Sequence, residues 1–170
     1  MIIEPATPAD LDAIDEIEQH SFKAPWPRSV FEGELSRDWA RIDVVRDPAV
    51  IAFNNYWLVA GELHILAIAT HPDRRRAGIG GVLLAHAMDR ARAASATLAT
   101  LEVRRGNAPA IALYERAGFK TVHVRQRYYQ DDGEDALVML CDLTESRPLP
   151  ARSRYRASRS RSPCPPRRRL

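Results

Sequence analysis

Three stretches of the chain combine residue types that can do chemistry. The first, Arg74-Arg75-Arg76-Ala77-Gly78-Ile79-Gly80-Gly81, stands between an apolar run, Ile65 to Thr70, and an amphipathic one, Val82 to Ala94. Glycine lets the backbone turn its N–H groups toward a ligand with no Cβ in the way, and the first turn of a helix adds unpaired donors and a partial positive charge. The stretch reads as an anion cradle that would fit a pyrophosphate, or more plainly as solvated arginines ahead of a glycine-softened helix start. The second is Glu102, in the alternating run Thr97 to Arg104. Thr97, Ala99, Leu101 and Val103 point one way and Leu98, Thr100, Glu102 and Arg104 the other, so Glu102 is either a base on a polar face or a solvated strand-end carboxylate. The third runs from Asn107 to Tyr114. At about 100° per residue Asn107, Ile111 and Tyr114 share one helical face, where they present an amide and a phenol to one ligand or serve as an N-cap and a core aromatic. His20, His64, His71, His86 and His123 show no metal-ligand spacing, and no metal is expected.

The elements that must hold these groups follow from periodicity and punctuation. Thr7-Pro8-Ala9-Asp10 predicts a helix start, with Leu11, Ile14 and Ile17 as the buried stripe. Pro25-Trp26-Pro27 interrupts it, and Arg28 to Leu35 can form a second helix with Val30, Phe31 and Leu35 inward. Strands are expected at Ile42 to Val45 and Val50 to Val59, with a hairpin turn at Gly61. Glu62 to Thr70, apolar on both faces apart from Glu62 and His64, has the pattern of a strand in the middle of a covered sheet. It delivers the chain to the arginine-glycine loop. Helices follow from Ile79 and from Asn107, the second ended by Gly118 in a left-handed conformation. Phe119 to Tyr129 and Ala136 to Leu143 predict two last strands joined by the acidic loop Gln130 to Asp135.

Composition describes one ordinary soluble domain followed by an unlike tail. Residues 1–146 carry 16 Lys and Arg against all 22 Asp and Glu, whereas residues 147–170 carry nine Arg and no acid. Two regions are therefore expected: a folded, acidic domain over 1–146 and a disordered Arg/Ser/Pro-rich tail over 147–170, which has too little apolar surface to offset its ordering entropy. No stretch approaches the length of a membrane span, and Met1-Ile2-Ile3-Glu4-Pro5 lacks the features of a signal peptide. A cytoplasmic location, without membrane contact, is expected.

The order of elements, the match of Arg75, Gly78 and Gly80 to a phosphate-loop pattern, and the run Asn107-Ala108-Pro109-Ala110-Ile111-Ala112-Leu113-Tyr114-Glu115-Arg116-Ala117-Gly118-Phe119 resemble the GNAT family of acetyl-CoA-dependent N-acetyltransferases. The resemblance covers residues 1 to about 143. It implies an α/β (α+β) fold with a central mixed, mostly antiparallel sheet flanked by helices and splayed between its fourth and fifth strands. Pro25-Trp26, Glu62 to Leu66, Leu101 to Arg104, Ala112 to Glu115, and Tyr128-Tyr129 with Gly133 to Ala136 resemble the RimI type, which acetylates the N-terminal alanine of a small-subunit ribosomal protein. Two positions depart from that type: Ala67, where Asn is frequent, and Gly106, where Ser or Ala is usual.

Acetyl transfer needs a neutral amine, a stabilised oxyanion and a proton for the departing thiolate. An N-terminal amine, with a reference pKa of about 8, is on the order of one-tenth neutral at pH 7, against well under one in a thousand lysines at about 10.4. The resemblance implies Glu102 as general base through a water and Tyr114 as acid. It further implies that the backbone N–H groups of Arg76, Ala77, Gly78, Ile79, Gly80 and Gly81 hold the diphosphate of acetyl-CoA, that Arg74, Arg75 and Arg76 are available to its ribose phosphate, and that Ile68, Ala69 and Thr70 run beside its pantetheine arm, which Asn107 hydrogen-bonds. Trp26, Glu62, Tyr128 and Tyr129 are candidates to line the peptide entrance, and the acidic loop would favour a basic acceptor. Two other readings stay open: the same fold acting on a lysine or small amine, and an RNA- or ribosome-binding module working through the arginine tail.

Overall fold

Alternating apolar residues become strands of one sheet, and the 3.6-residue stripes become helices laid on its two faces. The structure, a computed structural model, describes residues 1–144; the tail expected at 147–170 lies outside the described residues. Strands are β1 (Ile2–Pro5), β2 (Ala40–Arg46), β3 (Val50–Val59), β4 (Glu62–Thr70), β5 (Leu98–Arg104), β6 (Lys120–Arg125) and β7 (Ala136–Asp142), and helices are α1 (Leu11–Gln19), α2 (Arg28–Leu35), α3 (Ile79–Ala93) and α4 (Ala108–Arg116). The sheet order is β1-β2-β3-β4-β5-β7-β6. Every junction is antiparallel except β4–β5, which is parallel.

Several expectations change at their edges. β1 has no counterpart in the sequence reading, because four residues ending in proline carry too little periodicity; its pairing with β2 creates it. The first turn after Thr7 is a short 3-10 helix in which the Asp10 carboxylate accepts bonds from the Thr7 backbone and hydroxyl, so the α-helix begins only at Leu11. Ala60 and Gly61 both have positive φ, which makes the β3–β4 connection a type I′ turn. β6 stops at Arg125 rather than reaching Tyr129, since Arg127 takes φ 51° and turns the chain out of the sheet.

The helices sort by face. Leu11, Ile14 and Ile17 of α1 and Phe31 of α2 pack with Val44, Phe53, Ala67 and Ala69. On the other face Leu84, Ala87, Met88 and Ala91 of α3 and Tyr114 of α4 pack with Leu63, Ile65, Ala99, Leu101, Val103 and Met139. β4 contributes to both layers because its register against β3 slips by one residue at Leu66, between the Tyr56–Ile65 and Asn55–Ala67 pairs. A one-residue bulge inverts every later side chain. Leu63 and Ile65 therefore face α3 and α4, whereas Ala67 and Ala69 face α1 and α2.

α3 is held in place by a polar anchor as well as by packing. Asp43, buried on β2, accepts a hydrogen bond from the Tyr56 hydroxyl at 2.7 Å and from Arg90 at 3.3 Å, with His86 Nε2 at 3.6 Å. His86 and Arg90 are one helical turn apart, so a single carboxylate grips α3 twice. Burial lowers the His86 pKa and thus favours its neutral form. Removing a buried acceptor leaves its donors desolvated and unpaired. Asp43→Ala should cost about 3 kcal/mol and Tyr56→Phe about 1 kcal/mol in urea unfolding. Equal stability of Asp43→Ala and the wild type would show that packing alone holds α3.

Candidate active site

Parallel pairing between β4 and β5 runs from Glu62–Leu98 to Ile65–Leu101 and goes no further. Beyond that point Leu66–Thr70 and Glu102–Arg104 diverge, leaving the β5-facing backbone edge of β4 open, with the Leu66 bulge at the start of the opening. An open strand edge is a row of unused N–H and C=O groups, suited to a peptide-like arm and to an oxyanion. Ile68, Ala69 and Thr70 line it.

The arginine-glycine loop follows directly. Arg76 and Gly78 adopt left-handed φ values of 63° and 78° on either side of Ala77, and α3 starts at Ile79 with Gly78 as its N-cap. The first bond of the helix runs from the Val82 N–H to the Gly78 carbonyl, so the N–H groups of Ile79, Gly80 and Gly81 have no partner within the helix. Alternating left-handed residues that feed a helix N-terminus form a concave nest of N–H groups for an anion. A Cβ at Gly78 would meet only open space; glycine serves there for its φ. The three arginines divide their tasks. Arg74 pairs with Asp47, and Arg75 bonds the Thr70 and His20 carbonyls and the Ser21 hydroxyl, tying the loop to the end of α1. Among the described residues only Arg76 of the three has a side chain without such a partner. The nest and the open edge fit a diphosphate and an extended amide-bearing arm respectively.

On the opposite wall, alternation along β5 places Glu102 and Arg104 on the same face. The Glu102 carboxylate meets Arg125 Nε at 3.1 Å and accepts a hydrogen bond from the Tyr128 hydroxyl, which raises the Tyr128 pKa. Arg104 lies 3.8 Å from the centroid of the Tyr129 ring, and the two tyrosine rings meet edge to face at 5.2 Å. Burial pushes the Tyr129 pKa to about 12. The Tyr128–Tyr129 pair is thus tied to the strand that carries Glu102.

Tyr114 projects from α4 into the core against Phe119, and burial pushes its pKa to about 12, with Tyr129 adding electrostatically. Its hydroxyl stays protonated at neutral pH. Asn107 caps α4 by accepting a bond from the Ala110 N–H at 3.3 Å, which uses its carbonyl oxygen and leaves its NH₂ group for other partners. Glu102, Tyr114, Tyr128 and Tyr129 are therefore brought together at the open end of the splay. Glu62 is not. It sits at the closed end of the paired segment, bonded to His64 at 3.0 Å, roughly 13 Å along the strands from Glu102. Trp26 lies in the α1–α2 loop, half-buried against Phe31.

Some supporting residues escaped the sequence reading. Arg104, Lys23 and Arg105 pair within the fold with the Asp131, Asp132, Glu134 and Asp135 carboxylates of the acidic loop. Lys23 holds Asp132 down to about 2. Glu18 falls on the buried stripe of α1, one turn from Ile14, and a charge on an apolar stripe was its signal. At the Ala67 departure, the cross-strand neighbour Asn55 is fully buried with both amide atoms unpartnered. Among the described residues, no group of three or more His, Cys, Asp or Glu is placed to hold a metal ion.

Residues 11–119 match the acetyltransferase (GNAT) family. The chain is 36% identical over 137 residues to the [ribosomal protein bS18]-alanine N-acetyltransferase of Salmonella typhimurium, covering 79% of this chain and 93% of that protein. It superposes on the crystal structure of the ribosomal-protein-S18-alanine N-acetyltransferase from Escherichia coli with TM-score 0.78 at 32% identity, over 85% of this chain and 94% of that one. Ard1 from Thermoplasma volcanium superposes with TM-score 0.76 at 26% identity, over 84% of this chain and 97% of that one.

Glu18 joins α1 to the loop that carries Trp26. One oxygen of that carboxylate accepts the Trp26 N–H at 3.0 Å, the other is buried without a partner, and burial raises its pKa from an ordinary 4.5 to about 7. The folded protein thus holds the Glu18 proton more tightly than the unfolded chain does. The resulting stabilisation is complete below pH 4.5 and is lost as pH rises through 7. Glu18→Gln, which stays neutral, should gain stability relative to wild type between pH 5 and 8, by at most on the order of 3 kcal/mol. Denaturant titrations at both pH values measure it; a difference independent of pH would mean that Glu18 is ionised throughout.

Proposed function

The chain belongs to the GNAT acetyltransferase family, and from that premise we propose that it is a cytoplasmic protein N-terminal acetyltransferase acting on the N-terminal alanine of a small-subunit ribosomal protein. Transfer is direct, in a ternary complex with acetyl-CoA. The observation that carries this reading is the Tyr128–Tyr129 pair tied onto Glu102. It narrows the approach to the base, so that an extended N-terminus enters more readily than a lysine side chain. The likeness to the ribosomal protein alanine N-acetyltransferase of Salmonella typhimurium supports the same acceptor.

Acetyl-CoA supplies an activated acetyl group as a thioester. The N–H nest of Arg76 to Gly81 would hold its diphosphate with Arg76 beside it, and the open edge of Ile68 to Thr70 would pair with its amide-bearing arm. Glu102, pinned by Arg125 and Tyr128, takes a proton from the acceptor ammonium through a water. The N–H groups at the β4 bulge donate to the oxygen on which charge develops. Tyr114 donates a hydrogen bond to the departing sulfur. With a pKa of about 12 against about 8.5 for an ordinary thiol, full proton transfer would be uphill by roughly 5 kcal/mol. Its contribution is stabilisation of the thiolate, and the proton released by the amine completes the balance.

Acetylation of an Ala-initiated basic peptide, an N-blocked lysine peptide and a panel of small amines tests the acceptor. The Ala peptide should show the highest kcat/KM, and preference for the blocked lysine peptide would refute the reading. Glu102→Gln should lower kcat about 10²- to 10³-fold at pH 7 and less at pH 9, where an N-terminus is already neutral. Its affinity for acetyl-CoA should be unchanged. Tyr114→Phe should lower kcat about a hundredfold with the shape of the pH profile retained.

A further inference from the structure

Arg104 gathers more partners than any other side chain near the site. Its guanidinium makes two bonds to Asp131, at 2.7 and 2.8 Å, one to Asp132 at 2.9 Å and one to Glu134 at 3.1 Å, while its face covers the Tyr129 ring. The same carboxylates reach two other segments. Asp132 binds Lys23 of the α1–α2 loop at 2.9 Å, and Glu134 accepts the Gly106 N–H at 2.7 Å at the entry to α4. The Gly106 departure fits this seat: a Cβ there would stand 2.8 Å from the Glu134 carboxylate oxygen. Beneath the brace lies a cavity of about 330 Å³ lined by Ser21, Phe22, Lys23, Arg104, Asn107 and Glu134 among others. One arginine thus ties the tyrosine loop to β5, and through Asp132 it ties that loop to the segment carrying Trp26.

We propose that Arg104 is a positioning residue for the acceptor: it braces the Tyr128–Glu134 loop and the α1–α2 loop into one rim, and so sets acceptor affinity without touching acetyl-CoA. This rests on the acetyltransferase reading and deepens it. None of its partners belongs to the nest or to the open β4 edge, which are both built before β5 begins. The guanidinium is suited to the task because its planar fork serves several carboxylates while stacking on an aromatic face; a lysine ammonium supplies a point charge alone.

Arg104→Lys keeps the charge and removes the fork. It should raise the acceptor KM about tenfold, leave the KM for acetyl-CoA within twofold, and change kcat less than it changes the acceptor KM. Lys23→Met, which cuts only the α1–α2 arm, should raise the same KM by a smaller factor, and the double variant should fall short of the product of the two. Amide hydrogen exchange in Arg104→Lys should quicken at residues 126–135 and stay unchanged at 79–93, a readout independent of any acceptor. An unchanged acceptor KM, a parallel rise in both KM values, or unaltered exchange at 126–135 overturns the proposal. Should the wild type ignore the Ala peptide, the proposed acceptor fails by itself, and the KM comparison is made with whichever amine of the panel the wild type acetylates.

Discussion

The parting of β4 from β5 after Ile65 and Leu101 is the constraint on which the site depends. Two adjacent strands that stop pairing expose backbone groups that must find other partners, and a folded chain tolerates this only where a ligand or water supplies them. The bulge at Leu66 begins the opening and exchanges the two faces of β4, so that one strand packs against α3 and α4 before it and against α1 and α2 beyond it. The nest, Glu102 and Tyr114 stand at the mouth of that gap. The nest follows β4, Glu102 lies one residue past the last pair on β5, and Tyr114 comes from the helix that covers the same strand.

The two walls are made rigid by different physics. The wall proposed for the cofactor relies on packing and on one buried carboxylate: Asp43 fixes α3 to the sheet through His86 and Arg90, which orients the N-terminal nest of that helix. The wall proposed for the acceptor is made of loops with little apolar surface to bury, and ion pairs converging on Arg104 take the place of a core. Isolated exposed ion pairs contribute little, but a network shares the entropy of ordering one central side chain among several partners. An acidic loop that looked like a lure for a basic acceptor thereby acts as the mortar of the rim.

Much of this was legible in the residues because local rules governed it. The span of α2, the alternation that put Glu102 on the polar face of β5, the Asn107 cap and the Gly118 stop each follow from a pattern within about ten residues. The arginine-glycine loop was legible as an anion cradle, yet not the division of labour inside it: Arg74 and Arg75 turn to Asp47, Thr70 and His20, which are distant in sequence. β1 was invisible because only its partner makes it a strand. The early end of β6 was invisible because the left-handed turn at Arg127 has no glycine to announce it.

By itself the sequence determined the order and type of the elements from α1 onward, the position of the nest, and the side of β5 on which a carboxylate would stand, since periodicity and punctuation act between near neighbours. Tertiary structure alone decided where the sheet opens, which arginine of the loop stays free, and that Glu62 stands apart from Glu102 while Tyr128 joins it. It also turned Arg104, Lys23 and the acidic loop into one brace. These outcomes depend on contacts between residues up to 109 positions apart, and the geometry of such contacts exists only once the strands are paired and the helices have settled on their faces.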